Sequence, residues 1–298
     1  MNRKMHADEV ETSVCLVRRL LAAQFPEWTA LPIERVVSTG TVNALYRLGD
    51  DLVVRLPRTG WAVGAVDRGL RWLPKIAPLL PVEIPVPLAK GAPAEGYPSE
   101  WGIYPWLEGE NPVEGRIADP RSLAKDLMRF IQALHAVDLP GGPPAGRGAT
   151  LTRFDEPVRA ALVELEGVID TEAATAAWEV SLRTPEWPGP PVWIHGDVMP
   201  GNLLVQGGRL TGVIDWEASG TGDPATDLMV AWNLLPAGAR KLFRGELGVD
   251  DATWARGRGW ALWTGLVALP YYKETNPLFA ENAHYRIGEV LADHAAGG

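Results

Sequence analysis

The first third of this chain is rich in strands, the remainder is rich in helices, and nowhere does strand alternate regularly with helix. That order excludes a sheet built from βαβ units, because each parallel crossover needs its own helix. Short β-rich runs lie at 33–37, 44–48 and 52–56, the last two joined through Gly49, Asp50 and Asp51. A further run at 101–107 closes the front part. Helical spacing of apolar residues marks 7–25, 64–79, 120–136, 157–183, 224–235, 251–269 and 278–295. Prolines at 74, 78, 81, 85, 87, 93 and 98 force an extended or looped course between helix and strand. Short strands are also expected at 192–194, 203–205 and 210–214, the last pair around Gly207 and Gly208. The pattern predicts an α+β chain of two lobes, a smaller strand-rich lobe over 1–106 and a larger helical lobe over 107–298.

Charge divides along the same line. Residues 1–106 carry 12 basic and 11 acidic side chains, and residues 107–298 carry 16 and 26. The net charge of −9 argues against a nucleic-acid partner, which wants a basic surface, and favours a cationic ligand for the back lobe. The single cysteine, Cys15, excludes an intrachain disulfide framework, and its helical setting predicts a buried thiol. The N-terminal residues lack the apolar core of a secretory signal. The 14 residues between Arg258 and Lys273 are charge-free but interrupted by Pro270, too short for a membrane span. A cytoplasmic protein without a membrane partner is expected, with its oligomeric state open.

The densest chemistry lies at 193–202, where Trp193 and Ile194 lead into His195, Gly196 and Asp197, with Asn202 five positions on. Thirteen residues later, Ile214 precedes Asp215. One carboxylate to take a hydroxyl proton, with a second carboxylate and an amide to hold Mg²⁺, is the set that phosphoryl transfer from a nucleotide requires. His-x-Asp-x₄-Asn followed by an apolar residue and Asp resembles a protein-kinase catalytic loop and metal-binding Asp. Two positions depart from that pattern. Gly196 stands where Arg is usual, and Trp216 follows Asp215 where Phe-Gly is usual.

With Gly222, Asp223, Pro224, Ala225, Thr226, Asp227 and Leu228, the cluster resembles the aminoglycoside phosphotransferase family of kinase-like small-molecule kinases. The resemblance implies a two-lobed protein-kinase-like fold. It implies Asp197 as catalytic base, Asn202 and Asp215 as Mg²⁺ ligands, and His195 and Asp227 as supports of the loop, with ATP or GTP as co-substrate. Asp223 is expected to cap the next helix or to hold that loop.

In the front lobe, Ser38, Thr39 and Gly40 begin a strand-joining loop placed to cover nucleotide phosphates through backbone N–H groups. Arg55 occupies the strand position where kinase-like folds carry a phosphate-holding Lys. Its usual partner is a Glu in the following helix, but Gly69 stands there; either Asp67 substitutes, or the Arg55 pair is absent and nucleotide binding is weak. The strand around Tyr104 and Trp106 is the expected hinge, offering backbone groups to a purine and so leaving ATP and GTP open.

For the acceptor, Glu217, Glu274 and Glu281 are the candidate acids. Trp232, Trp263, Tyr271 and Tyr272 are the aromatics that would stack on a ring or cation, unless they belong to the core. The leading expectation is phosphorylation of a hydroxyl on a small cationic molecule, an aminoglycoside antibiotic first. A macrolide or other secondary metabolite comes second, and a metabolite such as choline or a sugar third. A nucleotide-binding pseudokinase-like module is the reading of another class. Asp197, Asn202 and Asp215, all present, argue against it, and Gly69 argues for it.

Overall fold

The computed structural model describes residues 10–37, 42–58, 64–113 and 116–297. The chain divides into two compact units, Met1–Gly109 with Gly212–Glu217, and Glu110–Thr211 with Ala218–Gly298.

In the first unit, α1 (Val14–Gln24) begins where the Ser13 side chain accepts the Leu16 N–H, which places its start later than helical spacing predicts. Strands β1 (Ile33–Arg35), β2 (Asn43–Leu48) and β3 (Leu52–Pro57) follow. Next come α2 (Ala65–Ile76), β4 (Ala89–Gly91) and β5 (Trp101–Pro105). The strands form one antiparallel sheet in the order β1-β2-β3-β5-β4. Leu16, Val17, Leu20 and Leu21 of α1 pack with Tyr46, Leu48, Val54, Leu56 and Ile103 into its core. Side chains alternate across a strand, so burying Val54 and Leu56 on that face puts Arg55 on the other. Cys15 lies outside the buried stripe of α1 and is exposed, against expectation, because the core-facing positions begin one residue later. The helix expected at 64–79 ends at Ile76 and passes into a 3₁₀ turn, Ala77–Leu79. The proline-rich stretch supplies an edge strand, β4, beside β5.

The second unit opens with α3 (Pro120–His135), capped by Asp119, whose side chain accepts from the Arg121 and Ser122 N–H groups. The single helix expected over 157–183 is two, α4 (Asp155–Glu164) and α5 (Thr171–Arg183). Asp170 caps α5 by accepting the Ala173 N–H, which restarts the helix after the break. Strand β6 (Val192–Ile194) pairs antiparallel with β9 (Gly220–Gly222). Between them, β7 (Leu203–Gln206) and β8 (Arg209–Val213) make a hairpin whose last residues belong to the first unit. The expected helix at 224–235 starts as a 3₁₀ helix, Pro224–Met229, before α6 (Val230–Asn233). Then come α7 (Ala237–Leu247), which apolar spacing did not mark, α8 (Asp251–Tyr272) and α9 (Pro277–Ala295). Buried residues fall on every side of α8, which packs against α4, α5 and α9 at the centre of this unit. No helix among the described residues is long and apolar enough to cross a membrane.

Candidate active site

In the second unit, buried β6 delivers His195 to the start of a polar loop. The chain turns at Gly196 with φ +77°, and a Cβ there would lie 3.1 Å from the Ala218 carbonyl oxygen. That explains the departure from Arg at this position: a side chain would be both strained and crowded. Asp227 holds the turn. Its Oδ1 accepts the Gly196 N–H at 2.8 Å, and its Oδ2 accepts the His195 N–H at 3.1 Å. His135 of α3 brings Nε2 within 3.1 Å of the same Oδ2. Both Asp227 and His195 are fully buried. The His195 Nδ1 accepts the Asp197 N–H at 3.2 Å. His195 thus shapes the loop from within. Asp223 caps the 3₁₀ helix by accepting the Ala225 N–H, and pairs with buried Arg256 at 2.7 Å.

Asn202 donates its amide to the Asp197 carbonyl at 2.9 Å and to Asp197 Oδ2 at 3.2 Å. With its NH₂ turned to Asp197, the Asn202 carbonyl oxygen remains as the ligand-type atom. Asn111 braces the far end of the loop, donating to the Gly201 and Leu203 carbonyls. The other oxygen of Asp197, Oδ1, accepts from Arg147, which also donates to the Gly196 carbonyl at 3.2 Å. The Arg147 guanidinium lies 5.6 Å from the centre of the Trp263 ring. Arg147 and His135 were invisible to motif reasoning, since each reaches the loop only through the folded chain. Each oxygen of Asp197 therefore has a protein donor, and a carboxylate oxygen can accept more than one hydrogen bond.

The first unit holds the other cluster. Arg55 on β3 is 13% exposed, and its Nη2 donates to Glu217 Oε1 at 2.9 Å and to Asp215 Oδ1 at 3.3 Å. Asn43 of β2 donates to the same Glu217 oxygen at 2.7 Å. Tyr104 of β5 lays its ring 5.2 Å from the Arg55 guanidinium. A Cβ on Gly102, opposite Arg55 in the sheet, would meet that ring at 2.6 Å, so glycine is what lets Tyr104 lie there. Burial alone would lower the Arg55 pKa, but Glu217 and then Asp215 raise it above its ordinary value. At Glu217 burial lifts the pKa, Arg55 opposes the rise and Asp215 adds to it. Asp215 itself has φ +63°, a left-handed conformation that costs a non-glycine residue about 1–3 kcal/mol and persists where the surroundings impose it.

Asp67 is not the partner of Arg55. It is 59% exposed and pairs with Lys90 at 2.7 Å. Glu217, expected among the acceptor acids, joins the Arg55 cluster instead, whereas Glu274 and Glu281 stand exposed. The Trp106 backbone N–H is committed to the Asp51 carbonyl at 2.7 Å, and its ring lies under Arg47. Trp232 is core, Trp263 and Tyr272 are half-buried, and Tyr271 is exposed. Ser38, Thr39 and Gly40 lie outside the described residues. Among the described residues no three His, Cys, Asp or Glu side chains gather as a metal site. The Asn202 amide oxygen and the Asp215 carboxylate, one in each unit, are each a hard oxygen donor of the type that Mg²⁺ takes.

A model of the phosphotransferase enzyme family matches residues 34–293. The uncharacterized protein YcbJ of Bacillus subtilis (strain 168) is 27% identical over 156 residues, a match that spans 50% of this chain and 48% of that protein. Among solved structures, the GDP and kanamycin complex of APH(2")-IIia is 19% identical with a TM-score of 0.74, over 93% of this chain and 98% of that one. The macrolide 2'-phosphotransferase MphH from Brachybacterium faecium is 25% identical with a TM-score of 0.56, over 91% of this chain and 97% of that one. The ADP-bound aminoglycoside phosphotransferase APH(2'')-Ib is 14% identical with a TM-score of 0.59, over 94% and 99%.

Proposed function

The chain belongs to the phosphotransferase enzyme family, and from that premise we propose that it moves the γ-phosphoryl group of ATP or GTP onto a hydroxyl of a small cationic molecule, an aminoglycoside first. The observation that carries this reading is the loop gripped by Asp227, which presents Asp197 with Asn202 beside it. Asp197 is the base. It orients the acceptor hydroxyl and takes its proton as the oxygen attacks the γ-phosphorus and the bond to the bridging oxygen of the diphosphate breaks. The acceptor must share this carboxylate with Arg147 and Asn202, or displace one of them. Asn202 and Asp215 would hold Mg²⁺, which when bound offsets charge on the phosphates. Arg55 supplies a fixed guanidinium for the phosphates, from the β3 position where kinase-like folds carry Lys. Residues 107–298, with 26 acidic against 16 basic side chains, support a cationic acceptor.

A macrolide acceptor is the second reading, supported by the likeness to the macrolide 2'-phosphotransferase over 91% of the chain. The test is nucleotide consumption with Mg²⁺ across aminoglycosides, macrolides and amino-alcohols, with ATP and GTP in separate arms and the phosphorylated product identified by mass. Asp197→Asn serves as the control and should lose about 10²–10⁴-fold in turnover, the usual worth of a positioned base. Turnover within a few-fold of wild type in that variant would remove Asp197 from the chemistry. Consumption with no member of the panel would refute the acceptor classes named.

A further inference from the structure

We propose that Glu217 is the positioning residue for Arg55, doing from the segment after Asp215 what a helix glutamate does in the kinase-like pattern. The inference rests on the reading of Arg55 as a phosphate ligand and adds the residue that holds it ready.

The geometry around Glu217 is built from several directions. Its Oε1 accepts from Arg55 on β3 at 2.9 Å and from Asn43 on β2 at 2.7 Å. Its backbone carbonyl accepts from Arg68 of α2 at 3.4 Å. The carboxylate is therefore tied down before it ties Arg55, and a flexible arginine held this way has already lost the rotamer freedom that phosphate binding would otherwise cost. Burial of Arg55 adds a second argument, because a buried guanidinium needs a paired charge.

Helix α2 does not supply that charge. Its one nearby acid, Asp67, points to Lys90. A Cβ at Gly69 would lie 2.9 Å from Cγ of Pro87, so the usual glutamate has no room there. Asp215 lies 3.3 Å from Arg55, but under the proposed reading its carboxylate is a metal ligand. Glu217 is the acid near Arg55 whose assigned work is the pairing itself. Its position two residues after Asp215 has a consequence: the short segment that carries the metal ligand also carries the anchor of the phosphate ligand.

Calorimetric titration with Mg·ADP and Mg·GDP reads the proposal without turnover. Glu217→Gln and Glu217→Ala should each weaken nucleotide binding by about tenfold, and the Glu217→Gln effect should largely vanish in an Arg55→Ala background, as expected of two residues sharing one interaction. Asp67→Ala should bind as wild type. In steady state the KM for nucleotide should rise while that for the acceptor holds, a split that mere loss of packing does not produce. If Glu217→Ala melts the unit, the isosteric glutamine still carries the test. Equal nucleotide affinity in Glu217→Gln together with a raised acceptor KM would overturn the proposal and make Glu217 an acceptor ligand. Additive effects in the cycle would overturn it too. A wild-type protein that binds neither nucleotide would instead defeat the underlying reading of the site.

Discussion

Asp227→Asn tests how the loop that carries Asp197 is held. The carboxylate is fully buried and faces the Gly196 N–H at 2.8 Å, the His195 N–H at 3.1 Å and His135 Nε2 at 3.1 Å. Asparagine keeps the shape but only one acceptor oxygen. With that oxygen in the place of Oδ2, the His195 N–H stays paired, and the new NH₂ points at the Gly196 N–H. Donor then faces donor, and a backbone N–H cannot turn away as a side chain can. The reverse placement strands the His195 N–H instead. One hydrogen bond to a charged group, about 1.5–3 kcal/mol, is lost, and a buried donor is orphaned at a cost of about 1–3 kcal/mol. These terms overlap, so a destabilisation of about 3 kcal/mol is expected, a large share of the roughly 5–15 kcal/mol typical of a folded protein. The corresponding fall in melting temperature is roughly 6–12 °C, at 2–4 °C per kcal/mol. Urea denaturation followed by the fluorescence of the 13 tryptophans reads the stability. Turnover should fall by about 10²-fold, because a loop moved by about 1 Å misplaces Asp197, the proposed base. A variant whose stability lies within about 0.5 kcal/mol of wild type, the range of neutral surface changes, would refute the structural role given to Asp227.

Asp215→Ala should abolish Mg²⁺-dependent nucleotide binding, since a carboxylate is lost from a site with few protein ligands; calorimetric titration of Mg²⁺ with nucleotide checks it, and unchanged metal dependence would exclude Asp215. Gly69→Glu should not strengthen nucleotide binding, because its Cβ meets Pro87; overpacking should instead cost about 1–3 kcal/mol in denaturation, and a gain in affinity would refute the steric argument. Asp126 accepts both Arg209 Nε at 2.6 Å and Nη2 at 2.7 Å, and that bond, opposed by burial and aided by the Leu210 N–H, lowers its pKa. A depressed carboxylate pKa contributes stability above the unfolded value, about 3.9, and loses it as pH falls through the folded value. Asp126→Asn should therefore be less stable than wild type at pH 7, with the gap closing below about pH 4 in paired thermal melts. A gap constant from pH 7 to pH 2 would show that the charge contributes nothing.

The chain's own order of residues determined the class of fold and marked the loop proposed to carry the chemistry, because both depend on local spacing. Alternation puts Val54 and Leu56 on the core face and Arg55 on the other with no knowledge of what packs there. The spacing of His195, Asp197 and Asn202 is likewise contained within one loop. Helix starts were less legible. The caps at Ser13 and Asp170 set boundaries that apolar spacing had missed, and Cys15, expected in the core, is exposed because it lies outside the buried stripe of α1. Tertiary structure alone decided the partners. Asp227 grips a turn that is 31 residues away along the chain, and Glu217 meets Arg55 across 162. Arg147 reaches Asp197 across 50. Spacing in sequence cannot encode such meetings, because they exist only once the sheet and helices have brought the residues together. The expected pairing of Arg55 with Asp67 shows the difference. Asp67 was near in sequence and suitable in charge, but Lys90 of β4 holds it, and the anchor came from 162 residues further along the chain.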